Sequence, residues 1–187
     1  LKITSPGVPD FYQGTELWAL NLVDPDNRRP VDFYKRRRYL NQARQQQASR
    51  DYLDKIKASP EDGRIKLFLT HRALMVRRAN LKVFEKGSYL PLEVRGPLQN
   101  HVISFARQET SAWAITIVPR FFTALVEVGE YPLGLGLWQE TRVVLPEKSP
   151  QHWTEEITAF ALNSSEGSIQ IGEVLTNFPV ALLTGIG

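Results

Sequence analysis

The stretch that decides the fold is AWAITI at residues 112–117, in which large apolar side chains alternate with small or polar ones. Successive side chains of a β-strand point to opposite faces, so Trp113, Ile115 and Ile117 would share one face. Similar segments surround this one, and turns rich in Gly, Pro or Ser separate them. The further candidate strands are residues 89–94, 102–105, 141–145, 156–162, 168–171 and 180–183. Together they predict an antiparallel β-sandwich of about seven or eight strands from residue 81 onward.

The first 80 residues carry a helical pattern instead. Apolar residues recur at helical spacing between residues 60 and 79, with Ser59 as the N-cap and Pro60 at the first helical position. A second helical segment is predicted from residue 33 to about residue 57, with a break near Ser49. Residues 1–31 contain no long periodic segment, which predicts either an ordered loop with short strand pieces or a stretch that is not ordered.

Composition excludes several classes of protein. The chain has 187 residues, of which 42% are hydrophobic and 23% charged, so neither a disordered chain nor a collagen-like fibre fits. It has no Cys, which removes disulfides, thiolate nucleophiles and Cys-based zinc sites. No apolar run approaches the roughly 18–20 residues of a membrane helix, so no membrane association is predicted. A cytoplasmic location fits these features.

The net charge of +3 conceals two unlike regions. Residues 1–80 hold 16 Lys+Arg and 9 Asp+Glu, a balance of +7, and residues 81–187 hold 7 and 11, a balance of −4. Every Asp lies at or before Asp62. This difference predicts a structural boundary near residue 80.

Most catalytic and cofactor motifs are missing from the sequence. The His residues at 71, 101 and 152 lack the spacing of metal ligands, and no phosphate-binding or dinucleotide-binding loop occurs. No metal or cofactor is therefore predicted. The basic run at residues 35–38 could bind nucleic acid, but Asp32, Asp51 and Asp54 lie on the same segment. Mixed charge favours a solvated helix face, so no nucleic-acid partner is predicted.

Polar and aromatic side chains are dense on a Pro- and Gly-rich scaffold at residues 4–18 and 22–33. Carboxylates, amides and guanidinium groups can bind sugar hydroxyls, and aromatic faces can cover the apolar side of a sugar ring. Another interpretation is a loop between domains that buried polar pairs hold, such as Asp26 with Arg29. The residues alone leave both interpretations open.

Several motifs carry a resemblance to a known family. GVPDFYQGTE at residues 7–16 resembles the last barrel strand and turn of the alpha-amylase family, glycoside hydrolase family thirteen. DPDNRRP at residues 24–30 resembles the loop that follows this strand in some branches, with Thr15 where many relatives have Asp. Further agreement comes from DGRIKL at 62–67, GSYLPL at 87–92 and NFPVALL at 177–183.

This resemblance implies an architecture. Residues 1–80 would be the end of a catalytic (β/α)8 barrel, with its last strand, active-site loop and helices. Residues 81–187 would be a C-terminal antiparallel β-sandwich domain. The expected partners are a maltooligosaccharide or other α-glucan substrate and the N-terminal barrel of the same chain.

The branch with the greatest similarity converts the reducing-end α-1,4 linkage of maltooligosaccharides into an α,α-1,1 linkage. That reaction is an intramolecular transglucosylation in trehalose biosynthesis, so the enzyme is formally an isomerase. The family places its catalytic carboxylates after earlier barrel strands, so no catalytic residue is assigned here and this piece alone would be inactive. Alternatives are a carbohydrate-binding module and another glucan hydrolase or transferase of the family.

One wall of the sugar subsites is predicted within the first 30 residues. The candidate substrate-binding residues are Tyr12, Gln13, Glu16, Trp18, Asp24, Asp26, Asn27, Arg28 and Arg29. The sandwich would cover the barrel, or Trp113, Trp138 and Trp153 would form a starch-binding platform. Exposed, coplanar rings would favour the platform, and buried rings would favour a core role.

Overall fold

A computed structural model describes residues 1–20, 23 and 28–187 of the chain. Within them the helices are α1 (Phe33–Gln46), α2 (Arg50–Lys57), α3 (Arg64–Ala79), α4 (Leu81–Lys86), α5 (Gly134–Trp138) and α6 (Ile171–Val174). The strands are β1 (Ser88–Pro91), β2 (Val94–Arg95), β3 (Val102–Glu109), β4 (Ala112–Pro119), β5 (Arg142–Val144), β6 (His152–Glu155), β7 (Phe160–Asn163), β8 (Ser168–Gln170) and β9 (Ala181–Ile186).

The helices follow the predicted pattern with two changes. Helices α1 and α2 are separated at residues 47–49, which confirms the predicted break. Helix α3 begins at Arg64 rather than Pro60, because Gly63 adopts the left-handed conformation (φ 79°) and Pro60–Asp62 forms a separate 3-10 turn. The predicted alternation begins at Ser88 and not at residue 81. Residues 81–86 form α4 because Val83 and Phe84 are buried in the helical core.

Two antiparallel sheets make up the rest of the chain. The larger has the order β1-β3-β4-β9-β6-β7, and the smaller has the order β2-β5-β8. Hairpin β3–β4 runs in register from Val102↔Pro119 to Glu109↔Ala112. The predicted antiparallel, sheet-rich architecture is confirmed, with nine strands in the described residues.

Two clusters of buried side chains organise these elements. One cluster draws on both sheets and includes Ile115 of β4, Val143 of β5 and Ile169 of β8. The other joins the helices to the opposite face of the larger sheet, with Phe68 packed in the same cluster as Leu182. The larger sheet therefore has the smaller sheet on one side and the helices on the other.

Residues 1–4, which lie in the segment with predicted short strand pieces, form no strand. The N–H groups of Thr4 and Ser5 both donate to the Leu1 carbonyl at 3.0 Å, so this segment makes a helical turn. A β-strand needs a hydrogen-bonded neighbour, and no part of the chain that the structure describes pairs with residues 1–4. The resemblance places the last barrel strand and its turn at residues 7–16, and because a barrel strand pairs with neighbouring barrel strands, that assignment stays a prediction.

Three of the four Trp residues belong to the core. Trp113, Trp138 and Trp153 are each no more than 3% exposed. The Trp138 indole N–H donates to the Pro132 carbonyl at 2.8 Å, which satisfies its polar atom inside the fold. Buried rings cannot form the starch-binding platform that the sequence left open.

His71 on α3 is expected to make the stability of the fold slightly dependent on pH. Burial, together with Arg44 and Arg72, holds the pKa of His71 below its ordinary value of 6.5. The unfolded chain therefore binds more protons as the pH falls below 6.5, and stability should decrease there. We expect His71→Gln to remove this decrease in stability at low pH. The difference in the free energy of unfolding should be less than about 1 kcal/mol, because solvent screens a half-buried group. Urea unfolding of both proteins between pH 5 and pH 8 tests this, and identical pH dependences would contradict it.

Candidate functional site

A cleft of ≈ 520 Å³ lies between residues 13–20, the first turn of α1 and the turn before α3. Its charged lining consists of Arg29, Asp32, Lys35, Arg36, Glu61 and Asp62. Three cations thus face three carboxylates, and the formal charges cancel. Such a lining offers both donors and acceptors, which suits a neutral ligand with many hydroxyl groups.

Arg36 connects one wall of the cleft to α1. Its Nε lies 2.8 Å from Glu16 Oε2, and its Nη1 donates to the Asp32 carbonyl at 3.1 Å. Its Nη2 donates to the Gly14 carbonyl. A guanidinium group has five donors in a fixed plane, so Arg36 can hold all three acceptors at once.

The first turn of α1 is fixed by its own cap. The Asp32 side chain accepts a hydrogen bond from the Lys35 backbone N–H at 2.8 Å, which satisfies a free donor at the helix end. Lys35 and Arg36 therefore lie in the same turn and line the cleft, whereas Arg37 and Arg38 are exposed. The prediction of a wholly solvated face for residues 35–38 holds only for the latter two.

Trp18 forms the aromatic part of the cleft. Trp18 is 48% exposed, and its Nε1 donates to the Pro60 carbonyl at 2.5 Å. Lys66 Nζ lies 5.1 Å from the ring centroid and also donates to the Leu17 carbonyl at 3.2 Å. The indole is thus held at its edge and by a cation, while about half of its surface stays open to a ligand.

Lys66 lies near side chains of both charges. Burial and the nearby Lys2 lower the pKa of Lys66 from its ordinary value, and Glu16 acts in the opposite direction. Glu16 thus interacts favourably with two cations near residues 14–18. It forms a direct ion pair with Arg36, and at longer range it acts to raise the pKa of Lys66.

The turn at residues 62–64 supports Trp18 from behind. A Cβ on Gly63 would stand 3.0 Å from the Trp18 backbone N and 3.1 Å from Leu17 Cβ. The left-handed backbone and this close approach both require Gly. Asp62 accepts from the Arg64 backbone N–H at 2.8 Å and pairs with Arg64 Nε at 2.6 Å, which fixes the turn.

The structure brings together only part of the predicted site. Gln13, Trp18 and Arg29 line the cleft, and Glu16 reaches it through Arg36. Tyr12 and Arg28 are exposed and lie outside its lining. The remaining candidates, Asp24, Asp26 and Asn27, lie outside the described residues.

Sequence reasoning missed the part of the lining that comes from distant segments. Lys35 was interpreted as part of a solvated face, Asp32 was not singled out from the polar stretch at residues 22–33, and Glu61 was not considered. The spacing of Asp32 and Lys35 in one helical turn was the available signal. In the part of the chain that the structure describes, no three His, Asp or Glu side chains lie close enough to hold a metal ion. The same residues contain no helix long and apolar enough to cross a membrane.

Several known proteins are similar to this chain. No known protein-family profile matches the chain. A protein of Mycobacterium tuberculosis (strain H37Rv), whose name assigns it to maltooligosyl trehalose synthase, is 35% identical over 183 residues. The match covers 98% of this chain and 19% of that protein. This chain is similar to a segment of a protein named as maltooligosyl trehalose synthase.

Solved structures agree with this relationship. The maltooligosyltrehalose synthase of Arthrobacter ramosus superimposes with a TM-score of 0.73 at 32% identity, over 96% of this chain and 20% of that chain. A hypothetical maltooligosyl trehalose synthase of Sulfolobus tokodaii has a TM-score of 0.53 at 24% identity and supports the fold alone. The chain thus spans about one fifth of the length of the synthases it matches. These names agree with the resemblance that the sequence motifs gave.

Proposed function

We propose that this chain is the C-terminal part of a maltooligosyl trehalose synthase of the alpha-amylase family. In this proposal residues 1–80 complete the catalytic (β/α)8 barrel, and residues 81–187 form a β-sandwich that supports it. The similarity to synthases over 183 residues supports this assignment. So does the arrangement of two antiparallel sheets around a common core. The synthase would act in the cytoplasm.

The proposed reaction turns the reducing-end α-1,4 linkage of a maltooligosaccharide into an α,α-1,1 linkage. In retaining enzymes one carboxylate attacks the anomeric carbon and another acts as acid and then as base. We assign neither role to this chain, so the chain alone would be inactive. After cleavage, the released glucose must stay bound and attack through its own anomeric hydroxyl, and water must be excluded.

The cleft beside Trp18 would supply part of that binding and exclusion. The open indole surface can cover the apolar C–H side of a glucose ring. Gln13, Arg29 and Asp62 line the same cleft and offer both donors and acceptors to hydroxyl groups. The half-exposed, anchored Trp18 ring within a charge-balanced cleft is the observation that carries the proposal.

Titration of the chain with maltoheptaose in a calorimeter tests this role. We expect Trp18→Ala to raise the Kd at least about tenfold, or about 1.4 kcal/mol, because the stacking surface is lost. Tyr34→Ala is the matched control, since Tyr34 is a more exposed aromatic residue outside the cleft lining. Equal affinity of the wild type and Trp18→Ala, or no binding by the wild type, would contradict the proposal.

A further inference from the structure

Two arginines are buried where helix α3 meets the larger sheet. Arg77 on α3 is 8% exposed and Arg107 on β3 is 3% exposed. Among the described residues, no carboxylate lies within ion-pair distance of either guanidinium. Their positive charges are instead surrounded by backbone carbonyl groups.

Both guanidinium groups bind the beginning of the chain. Arg77 donates through Nη1 to the Ile3 carbonyl and through Nη2 to the Gly7 carbonyl, each at 2.7 Å. Arg107 donates through Nη1 to the Thr4 carbonyl at 3.3 Å. Residues 3–7 are therefore held from two sides.

Arg107 also binds the connection between the helices and the sheet. Its Nη2 donates to the carbonyls of Phe84 at 3.0 Å and Gly87 at 2.8 Å, and its Nε donates to that of Ser88 at 3.2 Å. Phe84 lies in the last turn of α4, whose carbonyl end is negative and attracts a cation. One side chain thus links residues 3–7, the end of α4 and the start of β1.

These hydrogen bonds fix the positions of the segments that supply the carbonyl groups. A buried charge is tolerated only where its donors are satisfied, so the six carbonyl groups must stay in place together. Burial lowers the pKa of Arg107, and the nearby Arg77 adds to this effect through like-charge repulsion. Displacing residues 3–7 would leave both guanidinium groups with buried N–H donors that have no acceptor.

The segment that the two arginines hold leads directly into the wall of the cleft. Only five residues separate Gly7 from Gln13, and Pro9 stiffens that connection. We propose that Arg77 and Arg107 form a clamp by which the sheet and α3 hold residues 3–18, and with them the Trp18 wall of the cleft, in position. The clamp itself stands on these contacts, and its effect on sugar binding rests on the proposed function.

Hydrogen exchange of the 187-residue chain, followed by mass spectrometry, tests the clamp. We expect Arg77→Met and Arg107→Met to speed exchange of the Thr4, Ser5 and Thr15 amides at least about tenfold, as local opening becomes easier. The matched control is Arg72→Met. Arg72 also lies on α3 and donates to a backbone carbonyl of the sheet region, that of Glu156, at 3.0 Å from Nε. It should change exchange in residues 3–18 by less than about twofold.

Uniformly faster exchange, including the amides of Ile115 and Leu183 in the central strands, would overturn the clamp in favour of a general core role. If Arg107→Met does not fold, Arg107→Lys serves instead, because an ammonium group has three donors and cannot satisfy four carbonyls. Maltoheptaose affinity forms a separate measurement, and we expect it to fall in Arg77→Met but not in Arg72→Met. If the wild type binds no sugar, the proposed function fails and the exchange result still decides the clamp.

Discussion

Replacing Glu155 with Gln is expected to lower the free energy of unfolding by about 3 kcal/mol. Glu155 ends β6 and is 1% exposed. Its Oε1 accepts from the backbone N–H groups of Ile157 at 3.0 Å and Leu182 at 3.2 Å. Its Oε2 accepts from the Thr158 backbone N–H at 2.7 Å and lies 2.5 Å from Thr158 Oγ1. The carboxyl group therefore joins the end of β6, the following turn and β9.

The amide of Gln cannot reproduce these bonds. It has one acceptor oxygen, so its NH₂ group would face at least one buried N–H donor, and neither would have a partner. Burial raises the pKa of Glu155, while its hydrogen bonds act in the opposite direction. Because burial is the larger effect, the folded-state pKa lies above the ordinary value of 4.5, and wild-type stability should fall as the pH rises from that value through the folded-state pKa.

Urea unfolding across this pH range measures both effects. Glu156→Gln is the control, because Glu156 is only half-buried and accepts from Thr184 Oγ1, a bond that an amide oxygen can also accept. We expect Glu156→Gln to cost less than about 1 kcal/mol and to keep the pH dependence of the wild type. Equal losses in the two variants would show that the hydrogen bonds to Glu155 do not carry this stability.

Truncating Trp138 to Ala is expected to cost about 3–5 kcal/mol, in the range for large aromatic side chains removed from a core. Trp138 is fully buried at the end of α5, in the cluster between the two sheets. Its loss would leave a cavity and would also free the Pro132 carbonyl, which accepts its indole N–H. Trp138→Phe keeps most of the volume, so it should lose only about 1–2 kcal/mol.

The Trp138→Phe variant also separates a core role from sugar capture. Because the Trp138 ring has no exposed surface, maltoheptaose affinity should match that of the wild type once folding is confirmed by circular dichroism. Thermal unfolding gives the stability, and calorimetric titration gives the affinity. A clear loss of affinity with little loss of stability would restore the platform that buried Trp residues otherwise exclude.

Local pattern was enough to predict most elements, since periodicity reports which face of a segment is buried. The alternation around Trp113 correctly placed β4, and the predicted break near Ser49 lies between α1 and α2. Residues 156–162 were predicted as one strand, but the structure has hairpin β6–β7, with a turn at residues 156–159. Ala159 has φ 61° in that turn, and no Gly or Asn marks the position in the sequence.

The candidate site was less accessible to sequence reasoning. Gln13 and Trp18 could be named because they lie within or just after one recognisable motif at residues 7–16. Arg36 and Asp62 come from other segments and reach the cleft only through tertiary packing. The sequence gives no sign that Arg77 and Arg107 hold residues 3–7, because their acceptors are backbone carbonyls that every residue has.

Strand β9 has a consequence for how this chain folds. It lies between β4 and β6, which do not pair with each other, so it alone joins hairpin β6–β7 to the rest of the larger sheet. Its partners in β4 are far away in sequence, and contacts of that kind form slowly because a long loop must close first. The helices and the two hairpins can form early from local contacts. We therefore expect the pairing of β9 to be the slow event, with its register deciding whether the two halves of the sheet meet correctly.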